Sequence, residues 1–216
     1  DGQCDIPAIA DGTTYTQVAA RNCHTVLLKS DGTAVACGGN FSGQCNLPAL
    51  VDGTTYTQVA AGECHTVLLK SDGTAVACGQ NSDGECNLPA LAHGSTYTQV
   101  AAGGLHTVLL RSDGTAVACG WNSDGECNLP AMADGTIYTQ VAAGGHHTVL
   151  LKSNGTAVAC GCRSQCKLPA LADGLTYTQV AAGGCHTVLL KSDGTAVACG
   201  LNQCGQCTIP SSQSWG

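Results

Sequence analysis

One string of five residues constrains this chain more than any other feature. His-Thr-Val-Leu-Leu begins at His24, His65, His106, His147 and His186, at spacings of 41, 41, 41 and 39 residues. Tyr-Thr-Gln-Val-Ala-Ala precedes every copy, and Ala-Val-Ala-Cys-Gly follows every one. A period of this length, kept five times, marks an array of small units that bury their apolar faces only against one another. A shorter segment of the Gly-Gln-Cys type ends at Cys4, Cys45, Cys86, Cys127, Cys166 and Cys207, so the array opens with one such segment and finishes with another. The repeats run approximately over 2–42, 43–83, 84–124, 125–163 and 164–204, with a closing segment over 205–216, all within one domain spanning 1–216.

The second unit shows what each repeat folds into. Tyr56 to Ala61 is short, contains Thr and Val, and stops at Gly62, which predicts a strand. His65 to Lys70 is apolar on both alternating faces and ends at Ser71-Asp72-Gly73, a hairpin signal; Thr74 to Cys78 is the returning strand. If Asp72-Gly73 forms a two-residue turn, Leu69 faces Val76, Val67 faces Cys78 and Leu68 faces Ala77. Sheets apolar on both faces must be covered on both sides, and small sheets packed face to face around an axis achieve this. The expected fold is all-β: a β-propeller of five blades of approximately 41 residues, or alternatively five blades of a larger ring. The repeated end segments suggest ring closure by strand exchange.

Composition excludes several roles. Fifteen acidic residues against eight basic ones give a net charge of −7, so no electrostatic footprint for nucleic acid exists. No apolar run reaches the 18 or so residues of a membrane-spanning helix, and Asp1-Gly2-Gln3-Cys4 does not read as a signal peptide, which implies a processed chain or part of a longer precursor. Sixteen cysteines in a chain large enough to build its own core point to an oxidising compartment or a metal load. Extracellular space, the secretory pathway and an organelle lumen, the thylakoid lumen included, all satisfy the first.

The residues resemble a known family. In the second unit Val59 to Gly62, His65-Thr66, Leu68, Asp72-Gly73, Val76, Gly79, Asn81 and Gly84-Glu85 are similar to the regulator of chromosome condensation repeat. That resemblance covers essentially the whole chain. It implies a β-propeller, usually of seven blades, acting as an exchange factor, a protein-binding module or an enzyme inhibitor. This chain departs from the pattern: its repeat is short and occurs five times. Cys also stands where the family has Trp before the Gly and Leu after Gly-Gln. No residue matching a GTPase contact of the family is identifiable.

The repeats also act as an internal control on cysteine pairing. Every unit carries both a third-strand cysteine and the next Gly-Gln-Cys type cysteine: Cys37/Cys45, Cys78/Cys86, Cys119/Cys127, Cys160/Cys166 and Cys199/Cys207. The residue before the repeated His varies instead, being Cys23, Cys64, Leu105, His146 and Cys185. Five within-unit disulfides are therefore expected, each stabilising by roughly 2–3 kcal/mol. The pairing of Cys4, Cys23, Cys64, Cys162, Cys185 and Cys204 stays open, a bridge between Cys162 and Cys204 being one option. Cys204-Gly-Gln-Cys207 and the Cys-His neighbours do not match zinc-finger spacing, so no metal site and no cofactor are expected.

The repeated histidine reads as structural, fixing a turn by the same hydrogen bond in each blade. No nucleophile–base grouping, carboxylate pair or phosphate-binding loop stands out from the repeat, so no catalytic residue is assigned and the chain is not expected to be an enzyme. Hairpin topology sorts the loops into two ends. One carries the nearly invariant turns with Lys29, Lys70, Arg111, Lys152 and Lys191, a solvated ring. The other carries the loops that vary, and Phe41, Trp121, Leu201, Arg163 and Gln80 are its candidate binding residues, Trp and other large apolar groups being frequent interface anchors. Two sequons, at Asn40 and Asn154, are candidate glycosylation sites.

These features point to a non-enzymatic protein-binding propeller, a scaffold or peripheral subunit of a larger assembly, whose partner is another protein or protein complex. The alternative is a lectin-like propeller that binds a glycan. An exchange factor or enzyme inhibitor ranks third, on the family resemblance alone.

Overall fold

The structure, a computed structural model, describes residues 2–9, 12–51, 53–132, 135–210. Residues 211–216 of the expected closing segment lie outside the described residues. Five three-stranded antiparallel sheets follow one another along the chain, and no helix occurs among the described residues. The blades are β1 (Tyr15–Arg21), β2 (His24–Lys29) and β3 (Ala34–Gly38); β4 (Tyr56–Ala61), β5 (His65–Lys70) and β6 (Ala75–Gly79); β7 (Tyr97–Ala102), β8 (His106–Arg111) and β9 (Ala116–Gly120); β10 (Tyr138–Ala143), β11 (His147–Lys152) and β12 (Ala157–Gly161); and β13 (Tyr177–Ala182), β14 (His186–Lys191) and β15 (Ala196–Gly200). This is a five-bladed β-propeller. The first strand of every blade lines a central channel of about 540 Å³, walled mainly by alanine, including Ala20, Ala61, Ala102, Ala143 and Ala182.

The hairpin register differs from the one expected by one residue. Leu68 pairs with Val76, Val67 with Ala77 and Thr66 with Cys78. Lys70 N–H donates to the Thr74 carbonyl (2.8 Å), so the turn holds three residues, Ser71-Asp72-Gly73, with Gly73 at φ 78°. A type I turn followed by a left-handed residue gives this geometry. The extra turn residue moves every pairing by one step, the smallest shift that exchanges faces. Asp72 Oδ1 accepts from both the backbone N–H (2.9 Å) and the hydroxyl (2.7 Å) of Thr74, which closes the turn.

The core lies between blades. Val26 and Leu28 of the first blade pack on Tyr56, Val59, Ala61 and Leu68 of the second, and the same residue set recurs at the next three interfaces. Glutamines staple the inner strands: Gln17 Oε1 accepts from Val59 N–H (2.6 Å), and Gln58, Gln99 and Gln140 do likewise one blade further on. Tyr15, Tyr56, Tyr97, Tyr138 and Tyr177 each donate a phenol hydrogen bond to the proline carbonyl eight residues earlier, which pins each connection to the blade it enters.

Among the described residues the fifth and first blades are not joined in this way. Val18 is 64% exposed, whereas its repeat equivalents Val59 and Val100 are 8% and 7% exposed. Val188 and Leu190, which would face it, are only half-buried. Among the described residues strand exchange does not close the ring either. The Gln3 carbonyl accepts the Thr25 hydroxyl (2.9 Å), occupying the position that Gln206 of the last segment would need.

Candidate protein-binding face

The variable loops hang on a fixed scaffold. Asn40, Asn81, Asn122 and Asn202 each accept, through Oδ1, the backbone N–H of the cysteine five residues on, at 2.8–2.9 Å. The side chains of Gln44, Glu85, Glu126 and Gln206 turn back to accept a backbone N–H two residues earlier, at 2.9 Å in each case. Gly39, Gln80, Trp121, Cys162 and Leu201 occupy one equivalent position, each donating its N–H to the carbonyl of the residue before the repeated His (2.7–2.8 Å). The shared contact is made by the backbone alone, so it is kept across five different residues.

The candidate residues therefore fall into two sets. Gln80, Trp121 and Leu201 share the equivalent position, with Trp121 37% and Leu201 39% exposed and Gln80 half-buried, its amide donating to Ser82 Oγ (2.9 Å). Phe41 sits two residues further along its loop, at a tip, and is 89% exposed. Arg163 is exposed on the fourth loop, which is two residues shorter. All five lie at the end of the propeller where the first strand turns into the second. Both sequon asparagines serve their loops. Asn40 Nδ2 donates to Asn46 Oδ1 (2.8 Å), and Asn154 replaces the turn Asp by accepting from Thr156 N–H (3.0 Å) and Oγ1 (2.7 Å).

Beneath these loops runs a belt of buried histidines. Nε2 of His24, His65, His106 and His147 lies 2.9–3.0 Å from the threonine hydroxyl of the next blade: Thr66, Thr107, Thr148 and Thr187. Those hydroxyls in turn donate to the carbonyls of Gln44, Glu85, Glu126 and Gln165. The histidine is structural, but it joins blades and does not fix a turn within one. Burial, with neighbouring positive groups adding to it, pushes the pKa down to about 4 for His65 and His147 and about 3 for His106. All three are neutral at physiological pH.

Arg21 breaks the repeat at the mouth of the channel, replacing the glycine of the other units (Gly62, Gly103, Gly144, Gly183). The first strand runs one residue longer as a result, and Asn22 takes a left-handed φ of 52°. The guanidinium crosses the channel to the Ala143 carbonyl (3.5 Å). Burial lowers its pKa from the usual value, opposed by Glu63 and Cys185.

The five expected disulfides are not shown: none of the sixteen cysteines is paired in the structure. Each third-strand thiol has its own backbone acceptor, as Cys78 Sγ does in the Gln44 carbonyl (3.6 Å), while Cys86 Sγ donates to the Gln80 carbonyl (3.1 Å). Cys78 is flanked by both Cys86 and Cys45, so its surroundings include the previous unit as well as its own. Burial, reinforced by these neighbours, pushes its pKa up to about 12.

Sequence reasoning also missed one cluster. Asp124, Glu126 and His146 converge between the third and fourth blades on the variable face. The signal was present: only in the fourth unit does a second histidine precede the repeated one.

An all-β propeller with a constant frame and one variable loop end belongs to the class of repeat propellers that present loops from a rigid ring. The regulator of chromosome condensation (RCC1) repeat matches residues 56–85, 97–126, 134–166 and 177–206, and the chain belongs to that family. No curated protein sequence matches the chain. Among solved structures it is similar to yeast RCC1 (Prp20), crystallised bound to Kap60, with a TM-score of 0.73 at 21% identity over 88% of this chain and 57% of that one. It is likewise similar to human WBSCR16 (TM-score 0.76, 19% identity, 89% of this chain and 63% of that one). The Arabidopsis thaliana receptor kinase ACR4 ectodomain gives a TM-score of 0.66 at 20% identity, over 89% of this chain and 66% of that one. The chain thus spans about three fifths of the length of the yeast and human propellers it matches. Among the described residues no helix is long and apolar enough to cross a membrane.

Proposed function

We propose that this chain is a non-enzymatic protein-binding propeller, a scaffold or peripheral subunit of a larger assembly, that engages its partner through the variable loop end. The observation that carries the reading is the contrast between frame and loop. The hydrogen bonds of the loops recur unit after unit, while the side chains they present include the exposed Phe41, Trp121 and Leu201. Large apolar side chains held out on a rigid scaffold are what a protein interface uses as anchors. The yeast propeller Prp20p has binding properties towards Gsp1p and histones, which supports protein binding as the coarse class of activity. Of the three anchors, Trp121 and Leu201 share an equivalent position on the ring, which favours an extended flat contact over a single pocket.

Native size fractionation of the source, followed by mass spectrometry, tests the proposal. Migration within a large particle, lost in Trp121→Ala protein of unchanged circular dichroism, is the expected result. Migration as a free particle, with no other protein travelling with it, contradicts the proposal and turns attention to glycan ligands.

A further inference from the structure

We infer that Asp124, Glu126 and His146 form a binding site for a divalent first-row transition ion of the zinc class. His146 Nδ1 lies 3.5 Å from Asp124 Oδ2. One ligand atom from each of the three residues lies within 4.8 Å of the others. These separations are close enough that small rotamer adjustments of the two exposed side chains would bring all three onto one ion.

A second observation comes from Glu126. Its side chain is 1% exposed; Oε2 accepts the Asp124 N–H (2.9 Å), and Oε1 is buried without a hydrogen-bond partner. A buried carboxylate oxygen left open is costly unless a donor or a cation meets it. A cation held beside Asp124 and His146 would meet that need.

The repeat supplies its own control. In the preceding unit Asp83 N–H donates to Glu85 Oε2 (2.9 Å) and Glu85 Oε1 is likewise buried and open, but Leu105 stands where His146 does. The side-chain acceptor belongs to the frame, the Asp and Glu pair is shared by the loops of the second and third units only, and the imidazole is added only beside Glu126. Two carboxylate oxygens and one imidazole nitrogen suit zinc, cobalt or manganese; the nitrogen disfavours calcium and magnesium, which take oxygen ligands. Three protein ligands leave further positions to water. The ion would tie the loop that bears Trp121 to the turn entering β11.

Zinc binding by equilibrium dialysis, with all thiols kept reduced by a phosphine, tests the site. The sixteen cysteines are common to every variant, so the difference in stoichiometry isolates the cluster. Wild-type protein is expected to bind one more equivalent than His146→Leu, a change the third unit already tolerates, and one more than Asp124→Asn. With cobalt, the extra equivalent should give weak visible bands and no thiolate-to-metal charge transfer. Equal stoichiometry in wild type and His146→Leu overturns the inference, and so does charge-transfer absorption from the extra equivalent.

Discussion

His106 shows how one side chain fastens two blades. It is fully buried, and its ring reaches Thr148, whose hydroxyl continues to the Glu126 carbonyl. Removing it opens a cavity and takes a hydrogen bond from a buried interface. His106→Ala is therefore expected to cost about 2–4 kcal/mol in urea unfolding. The same histidines make stability depend on pH. Their folded pKa values, about 3 to 4, lie below the roughly 6.5 of an unfolded histidine. Between those values the unfolded chain binds protons that the folded chain refuses. Stability is thus fully present above pH 6.5 and falls as the pH drops towards 4, by up to about 1.4 kcal/mol per pH unit for each histidine. Urea midpoints at pH 7.5, 6 and 5 should decline; a flat profile would show that the histidines are not buried neutral.

At the scale of the element, the three-residue turn is the feature that decides. Gly73 sits at φ 78°, and a Cβ there would lie 2.4 Å from Thr96 Cβ of the next blade; Gly194, at φ 81°, has nothing within 4 Å. Gly73→Ala should cost about 2–4 kcal/mol, combining backbone strain with a clash, whereas Gly194→Ala should cost about 1 kcal/mol from strain alone. Thermal midpoints of the two variants distinguish them, and equal losses would mean that the last blade has a neighbour. Strand positions were legible from the sequence because His-Thr-Val-Leu-Leu and Ala-Val-Ala-Cys-Gly carry their period openly. The register was not, because Asp-Gly fits a two-residue turn as well as the end of a three-residue one, and only the Lys70–Thr74 pairing decides between them. Phe41 and Trp121 were legible as loop residues. The convergence of Asp124 and Glu126 with His146 was not, since it depends on how a loop of one blade meets the turn of the next.

For the whole molecule, the blades pack in one direction around a channel, and among the described residues nothing fills the seam between fifth and first. Repeat-equivalent valines should therefore behave differently. Val100→Asp buries a charge in the second interface and is expected to unfold the protein or cost more than about 3 kcal/mol, while Val18→Asp should change stability by less than about 1 kcal/mol. Chemical denaturation of both variants checks this, and similar large losses would place Val18 in a closed ring. The constant frame and the variable loop end then give the molecule its polarity: one end repeats itself, and the other does not.

That polarity is the central claim, and site-specific photo-crosslinking in the native source tests it most directly. A crosslinking residue placed at Ser42 or Ser123, beside Phe41 and Trp121, probes the variable end, and one placed at Ser71 or Ser153 probes the turn end. Discrete, reproducible protein adducts from the first pair and none from the second are predicted. Adducts from the turn end alone, or equally from both ends, would contradict it.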